Sequence, residues 1–396
     1  MPSRRSGRAI VALCGALIVA TGVGIRSGAP GAAGTPLVTS IPTPLATSIG
    51  SSSGTWATLP MGRTNQPRNT FWQLFFQPAG ATSWTDEVGA TATATNGGLV
   101  LATAAGRPFI AGIRPANLLR FSPLISTTDG GVTWTNGVLP RGLSAHPDSL
   151  SAASDGRTLA LVNSGADARV LVSSGSLSIW RTLVTARSLA TQRGGRSCEP
   201  HSVSGVASLD GNPVVGADCA RAGVVGIFAQ GGGGWTRDGP TLPDALGRGR
   251  VQVLTMAGTP TGLSALLGIA QGPGTALVAA WEANGTWAVS SSLTLGPGGP
   301  IVSFGPAGGA GYFVLSRTAS GATRLAAIDG PDVHWVQLPP PPRHSATIAF
   351  APATASAIEA LTNTATTMTV WSLPSGSGNW VKSQVLHVNI KFGSSS

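Results

Sequence analysis

The stretch Thr127-Thr128-Asp129-Gly130-Gly131-Val132-Thr133-Trp134 decides the fold. An apolar run, Leu124-Ile125-Ser126, precedes it, and Thr135-Asn136-Gly137-Val138-Leu139-Pro140 follows it. The pattern is that of a hairpin turn. An Asp in a Gly-rich turn accepts bonds from backbone N–H groups two residues on, and the glycines supply positive φ. The Thr hydroxyls add weaker local bonds of the same kind. The Trp opens the next strand with a large apolar side chain to bury.

Working outward, the tryptophans expose a period. Trp84, Trp134, Trp180, Trp235, Trp287, Trp335 and Trp380 are separated by 50, 46, 55, 52, 48 and 45 residues. Such spacing with strand-like content predicts propeller blades of four strands. An apolar strand and a small-residue turn precede each Trp, as in Val170-Leu171-Val172 with Ser174-Gly175-Ser176, or Leu277-Val278-Ala279-Ala280 with Asn284-Gly285-Thr286. A short strand follows, often closed by Leu-Pro: Leu139-Pro140, Leu242-Pro243, Leu338-Pro339. The first half of each unit is a pair of alternating strands, such as Ser149–Ala153 with Thr158–Val162 and Val251–Met256 with Gly262–Gly268. Small residues dominate the first of each pair, as expected where strands crowd toward a central channel.

The fold expected is therefore all-β, a propeller of seven four-stranded blades, with six and eight as the alternative counts. At the N-terminal end, Thr70–Phe76 and Ser83–Val88 supply a third and fourth strand, with no clear first pair before them. Gly54–Pro60 resembles one more outer strand without an assigned place. After Trp380, Val385–Phe392 reads as an extra strand returning to the first blade to close the ring and remove exposed edges. Only the copy ending at Trp134 keeps every turn residue; the other turns rest mainly on Gly.

The eight residues of the opening stretch resemble the Asp-box, or BNR repeat, of sialidase-like β-propellers. Thr127, Asp129, Gly131, Thr133 and Trp134 occupy its defining positions. The resemblance implies that the box lies between the third and fourth strands of a blade, away from the catalytic face, so it implies architecture more than chemistry. A sialidase would also carry three arginines gripping a carboxylate, a Tyr/Glu nucleophilic pair, an Asp acid and an Arg-Ile-Pro motif. The sole Tyr, Tyr312, sits in the apolar run Gly311-Tyr312-Phe313, and Arg107-Pro108-Phe109-Ile110 and Ile113-Arg114-Pro115 are only superficially similar to that motif. Sialidase activity is not expected. The repeat plan is also similar to that of photosystem II stability/assembly-factor-like propellers.

Composition agrees with a repeat array. The 396 residues exceed one core of ordinary size. There are 55 Gly and 29 Pro, and only 10 % of residues are charged, while 42 % apolar content argues against disorder. Arg4, Arg5, Arg8 and Arg26 lie near the N-terminus, and without those four the formal charge of +10 falls to +6. The other arginines are scattered along the sequence, with no basic run or basic helix, which argues for a solvated basic surface and against nucleic acid.

Residues 1–33 read as a signal peptide or membrane anchor: a charged start, then the apolar run Ala9–Ile25, whose 17 residues approach the lower limit of a membrane span. Cys14 lies inside that run. Residues 34–53, rich in Pro, Ser, Thr and Gly, read as a flexible linker, and 54–396 as the propeller. This places the protein outside the cytoplasm, secreted or anchored through residues 9–25. Cys198 and Cys219 then suit an oxidising compartment. A turn at Asp210-Gly211 brings them nearly opposite, so a disulfide would clip the base of a hairpin, contributing about 3 kcal/mol in the loop-entropy view.

No residue set predicts catalysis, a cofactor or a metal. Asp86 and Glu87 are adjacent and would face opposite sides of a strand. Asp129, Asp155, Asp210, Asp329 and Asp332 are placed for turn chemistry. His146, His201, His334, His344 and His387 are dispersed without metal-ligand spacing. Gly231–Gly234 is a turn before Trp235, with no Lys or helix start to make it a phosphate loop. The function expected is that of an exported, monomeric, non-catalytic propeller binding a protein or glycan through loops at the channel mouth. The alternatives are a glycoside hydrolase of the sialidase-like superfamily and an assembly-factor-like scaffold.

Overall fold

Each of the seven tryptophans stands at the start of the fourth strand of a four-stranded antiparallel sheet. The computed structural model describes residues 47–51, 53–63, 70–87, 98–104, 106–114, 122–139, 147–162, 167–259, 261–296, 300–307, 311–330, 334–342, 348–351 and 357–388. The sheets span 47–86, 99–139, 147–185, 200–237, 251–289, 301–338 and 348–387, and are called blades 1 to 7. In each, the strands pair in chain order. Blade 5 gains a short fifth strand, Leu293–Leu295, paired with its third, Gly274–Ala283. First strands of blades 1 and 2, 2 and 3, 3 and 4, 4 and 5, 6 and 7, and 7 and 1 lie beside one another, which puts them at the centre of the ring.

The core is a set of seams between blades, each containing one of the periodic indoles. Trp134 packs with Trp56 and Phe76 of blade 1 and Phe109 and Ile125 of blade 2. Trp180 joins Leu124 and Leu139 to Ala160 and Leu171. Trp235 lies among Val172, Val184, Val215 and Phe228. Trp287 packs on Ile227 and Val278, and Trp335 on Leu277 and Val314. Trp380 packs against Leu325 and Phe350, and Trp84 against Phe75 and Leu361. Every fourth-strand Trp thus reaches the preceding blade, and Trp84 of blade 1 reaches blade 7. Middle strands are covered on both faces, so Gly262–Gln271 is an almost continuous buried apolar run.

The ring closes differently from the expectation. The last strand among the described residues is Val381–His387, the outer strand of blade 7, and among those residues it pairs only with Thr367–Pro374 of its own sheet. Residues 389–392 of the expected closing strand lie outside the described residues. Blade 1 supplies all four of its own strands. Its first pair is Thr47–Ser51 with Gly54–Gly62, so Gly54–Pro60 is a second strand and not an outer one. Thr47–Ser51 also falls within the stretch read as linker.

Closure rests on packing and a set of hydrogen bonds between blades 1 and 7. The Trp84 amide donates to Gln384 Oε1 at 2.8 Å, and Gln384 Nε2 donates back to the Trp84 carbonyl at 2.9 Å. The Trp84 indole N–H donates to Glu359 Oε2 at 3.0 Å, which Gln77 Nε2 also approaches at 3.4 Å. The Gly62 amide donates to the Ala365 carbonyl at 2.7 Å, and the Asn363 side chain donates to the Pro60 carbonyl. Glu359→Ala leaves the buried Trp84 indole N–H without its acceptor, and we expect a loss of about 1–3 kcal/mol in urea unfolding, with Glu359→Gln retaining most of it. A loss below about 0.5 kcal/mol for the alanine variant would show that this contact does not hold the ring shut.

Candidate functional site

Strand order divides the turns between two faces. Turns joining first to second and third to fourth strands share one face. Turns joining second to third strands, and the links between blades, share the other. The Thr127–Trp134 turn lies on the first face and the cysteine pair on the second.

On the first face, Asp129 is fully committed to its own turn. Its Oδ1 accepts from the Thr133 amide at 2.9 Å and from the Thr127 hydroxyl at 2.7 Å, and its Oδ2 accepts from the Thr133 hydroxyl at 2.6 Å. The Thr127 hydroxyl in turn accepts from the Gly131 amide at 3.0 Å. The bonds from Thr133, then that from Thr127, lower the carboxyl pKa to about 2. Gly131 has φ 96°, and a Cβ there would stand 2.6 Å from Glu87 Oε2, so glycine is required twice over. Burial raises the pKa of Glu87 and Asp86, and Gln73 Nε2 donates to Asp86 Oδ1 at 3.0 Å.

Asp155 and Asp210 also serve turns. The Arg157 amide donates to Asp155 Oδ1 at 3.0 Å, and Asp210 and Gly211 adopt φ 49° and 78° in a two-residue hairpin turn. Arg107 of blade 2 donates to the Ser154 carbonyl of blade 3, and Arg157 of blade 3 to the Gly211 carbonyl of blade 4, so arginines staple three successive turns. A cavity of about 490 Å³ opens on the same face between blades 6 and 7, lined in part by Phe313, Asp329, His334 and Leu373. Asp332, His146 and His344 lie outside the described residues.

On the second face, the head of blade 4 gathers the most chemistry. Cys198 and Cys219 form a disulfide with 4.8 Å between Cα atoms, and Pro200 pairs directly with Cys219. The strands it clips carry His201, Ser202 and Asp218. Ser202 Oγ donates to Asp218 Oδ2 at 2.7 Å. Burial raises the Asp218 pKa, against the opposing influence of Ser202, His201, the Val253 amide and Arg250. Glu199, held at φ 53°, pairs with Arg221 at 2.7 Å. The turn after Cys219 is tied to the next link by the Gly223 amide, which donates to the Gly249 carbonyl at 2.7 Å. On the same face Arg114 of blade 2 pairs with Asp148 of blade 3 at 3.1 Å.

Two short helices enter this face, although no helical period marks them in the sequence. They are α1 (Ala186–Thr191) and α2 (Arg193–Arg196) in the link from blade 3 to blade 4. The signal was local: Thr185 and Ser188 form a reciprocal capping box, while six- and four-residue helices are too short to show a period. Tyr312 is buried in the seam between blades 5 and 6, where its hydroxyl donates to Ser264 Oγ at 2.9 Å. Burial pushes its pKa upward, which suits a core phenol and opposes ionisation to a nucleophile.

No protein-family model and no curated protein sequence matches the chain. Solved structures do. The chain is similar to the BP39L lectin from Burkholderia pseudomallei, at 13% identity and TM-score 0.51, covering 86% of this chain and 99% of that one. It is similar to a putative 6-phosphogluconolactonase from Bacteroides uniformis, at 13% identity and TM-score 0.51, covering 87% and 97%. At this identity the likeness concerns the propeller fold.

Two outcomes follow for the residues placed above. Because folding lowers the Asp129 pKa from 3.8 to about 2, its contribution is complete above the unfolded value and fades as pH falls toward 2. The stability gap between wild type and Asp129→Asn should therefore be constant above about pH 5 and close between about pH 4 and 2; a gap that persists at the acid end would contradict the bonding described. The native protein should show no reactive thiol at Cys198 or Cys219, and Cys198→Ser/Cys219→Ser should lose about 3 kcal/mol. Full labelling of both cysteines without denaturant would contradict this.

Proposed function

We infer that this protein is an exported, monomeric, non-catalytic propeller that binds a protein or glycan through the face carrying the interblade links. Residues 1–33 serve as signal or anchor, and 34–46 as a spacer ahead of the first strand. The carrying observation is the state of three acids on that face, at the heads of blades 3 and 4. Asp148 is paired with Arg114, Glu199 with Arg221, and Asp218 is bonded to Ser202, while His201 and Arg250 stand exposed beside them. Such a surface offers donors and fixed charges for recognition. The reading is supported by the role of propeller loops as variable elements on a rigid frame, and the similar Burkholderia propeller is itself described as a lectin. The hydrogen bonds around Asp129, between third and fourth strands, support placing the chain with the Asp-box propellers.

One observation favours a hydrolase instead. Asp218 is a carboxyl with a raised pKa beside an exposed His201, an arrangement that acid–base catalysts share. A glycan array and a pull-down with residues 47–396, run beside a generic glycosidase assay, separate the two. Binding is expected for wild type, weakened about tenfold by His201→Ala/Arg250→Ala if one to two charged contacts are lost, with no turnover. Turnover abolished by Asp218→Asn would overturn the binding reading.

A further inference from the structure

Four arginines lie on or beside the link between blades 3 and 4. Gly194 of α2 lies against the outer strand of blade 4, where a Cβ would stand 2.6 Å from the Arg237 amide nitrogen. This contact sets Arg193 and Arg196 of α2 beside Arg237, and α1, packed on α2, adds Arg187. All four side chains are exposed. Among the described residues, ion pairs join Arg114 to Asp148, Arg157 to Asp155 and Arg221 to Glu199, and none of the four takes part. Of the acids nearest in sequence, Glu199 is held by Arg221 and Asp238 is half-buried.

We propose that this rim docks an acidic polysaccharide, a glycan chain carrying carboxylate or sulfate groups. The proposal rests on the reading of the chain as a binding propeller and names its ligand class. Guanidinium groups present planar forks that match such anions. The apolar side chains of α1, Ala186 and Leu189, point into the core, so the helix offers a bilayer no apolar face. The exposed large apolar residues among those described are Val132, Ile179, Val336, Val381 and Val385, none of them on the rim. Trp235, whose carbonyl lies against Gly194 of α2, is buried, so it offers no stacking platform for nucleic-acid bases. An anionic ligand recognised through its charges, without apolar anchors, fits what remains.

The test uses immobilised polygalacturonate and heparin, neutral dextran, and vesicles containing phosphatidylglycerol, with the full exported chain. Wild type should bind at least one polyanion and not dextran, with affinity falling as salt rises from about 50 to 200 mM. Arg193→Ser/Arg196→Ser/Arg237→Ser should bind about tenfold more weakly, with a shallower salt dependence. Arg317→Ser/Arg324→Ser, removing two exposed arginines of blade 6 away from the rim, should bind the polyanion as wild type does. Circular dichroism and thermal unfolding of the triple variant check that it folds. Equal binding by the triple variant, loss only in the Arg317/Arg324 variant, or tighter capture by vesicles overturns the rim while leaving the binding reading standing. Absence of wild-type retention on both polyanions also overturns the rim, and the glycan array then decides the broader reading.

Discussion

The fold depends on burying one indole per blade against the blade before it. A four-stranded sheet has two faces, and an isolated blade would leave both in water. The fourth strand is the outermost and has the least to bury by itself. Placing Trp84, Trp134, Trp180, Trp235, Trp287, Trp335 and Trp380 at its start carries apolar area back toward the neighbouring sheet. A fully buried Trp, as Trp84 and Trp235 nearly are, removes roughly 150–250 Å² from water, worth about 4–6 kcal/mol at the usual coefficient before entropy is subtracted, and the five half-buried indoles contribute less. The turn ahead of each Trp then acts as an aiming device. At Thr127–Trp134 the aim is fixed by a set of side-chain hydrogen bonds centred on Asp129; other turns combine glycine with fewer such bonds, as where the Gly285 amide donates to Glu282 Oε1 and the Asn379 amide to Ser377 Oγ.

Closure is the second constraint. The blade 1 and blade 7 sheets share no strand, so the last seam holds through packed side chains and isolated cross-blade hydrogen bonds. Trp84 therefore does two things, filling the apolar seam and bonding Gln384 and Glu359 through backbone and indole. The neighbouring seam is aromatic: Trp56 stacks on Phe76 and Phe109 with centroids 4.2 and 4.1 Å away, and Trp134 meets its edge at 5.8 Å. A cluster of stacked aromatics thus lies beside the place where the ring has no covalent continuity.

The blade number and the outer strands of blades 1 to 6 were legible because Trp spacing survives differences in turn length, whereas the outer strand of blade 7 was read in part as a separate closing strand. So were the hairpin at Asp210-Gly211 and its cysteine clip, since a two-residue turn fixes register. The inner strands of blade 1 were not legible. Thr47–Ser51 is short and built of Thr, Ser, Ile and Gly, which composition alone cannot separate from a linker. Trp56, counted outside the period, proved to be the centre of a seam, because burial of a second strand is a tertiary fact. The same holds for function. Asp218 acquires its raised pKa from burial in the folded ring, and Arg193, Arg196 and Arg237 come near one another only because α2 packs on a strand some forty residues on.

Hydroxyl-radical footprinting of the tryptophans is the most direct test of the indole seams. Trp84 and Trp235, at 1% and 6% exposure, should be protected, the five half-buried partners should react at intermediate rates, and exposed Ile179 should show the protection factor of an open loop. Modification of Trp84 or Trp235 in the native protein at the rate of a free indole would contradict the account.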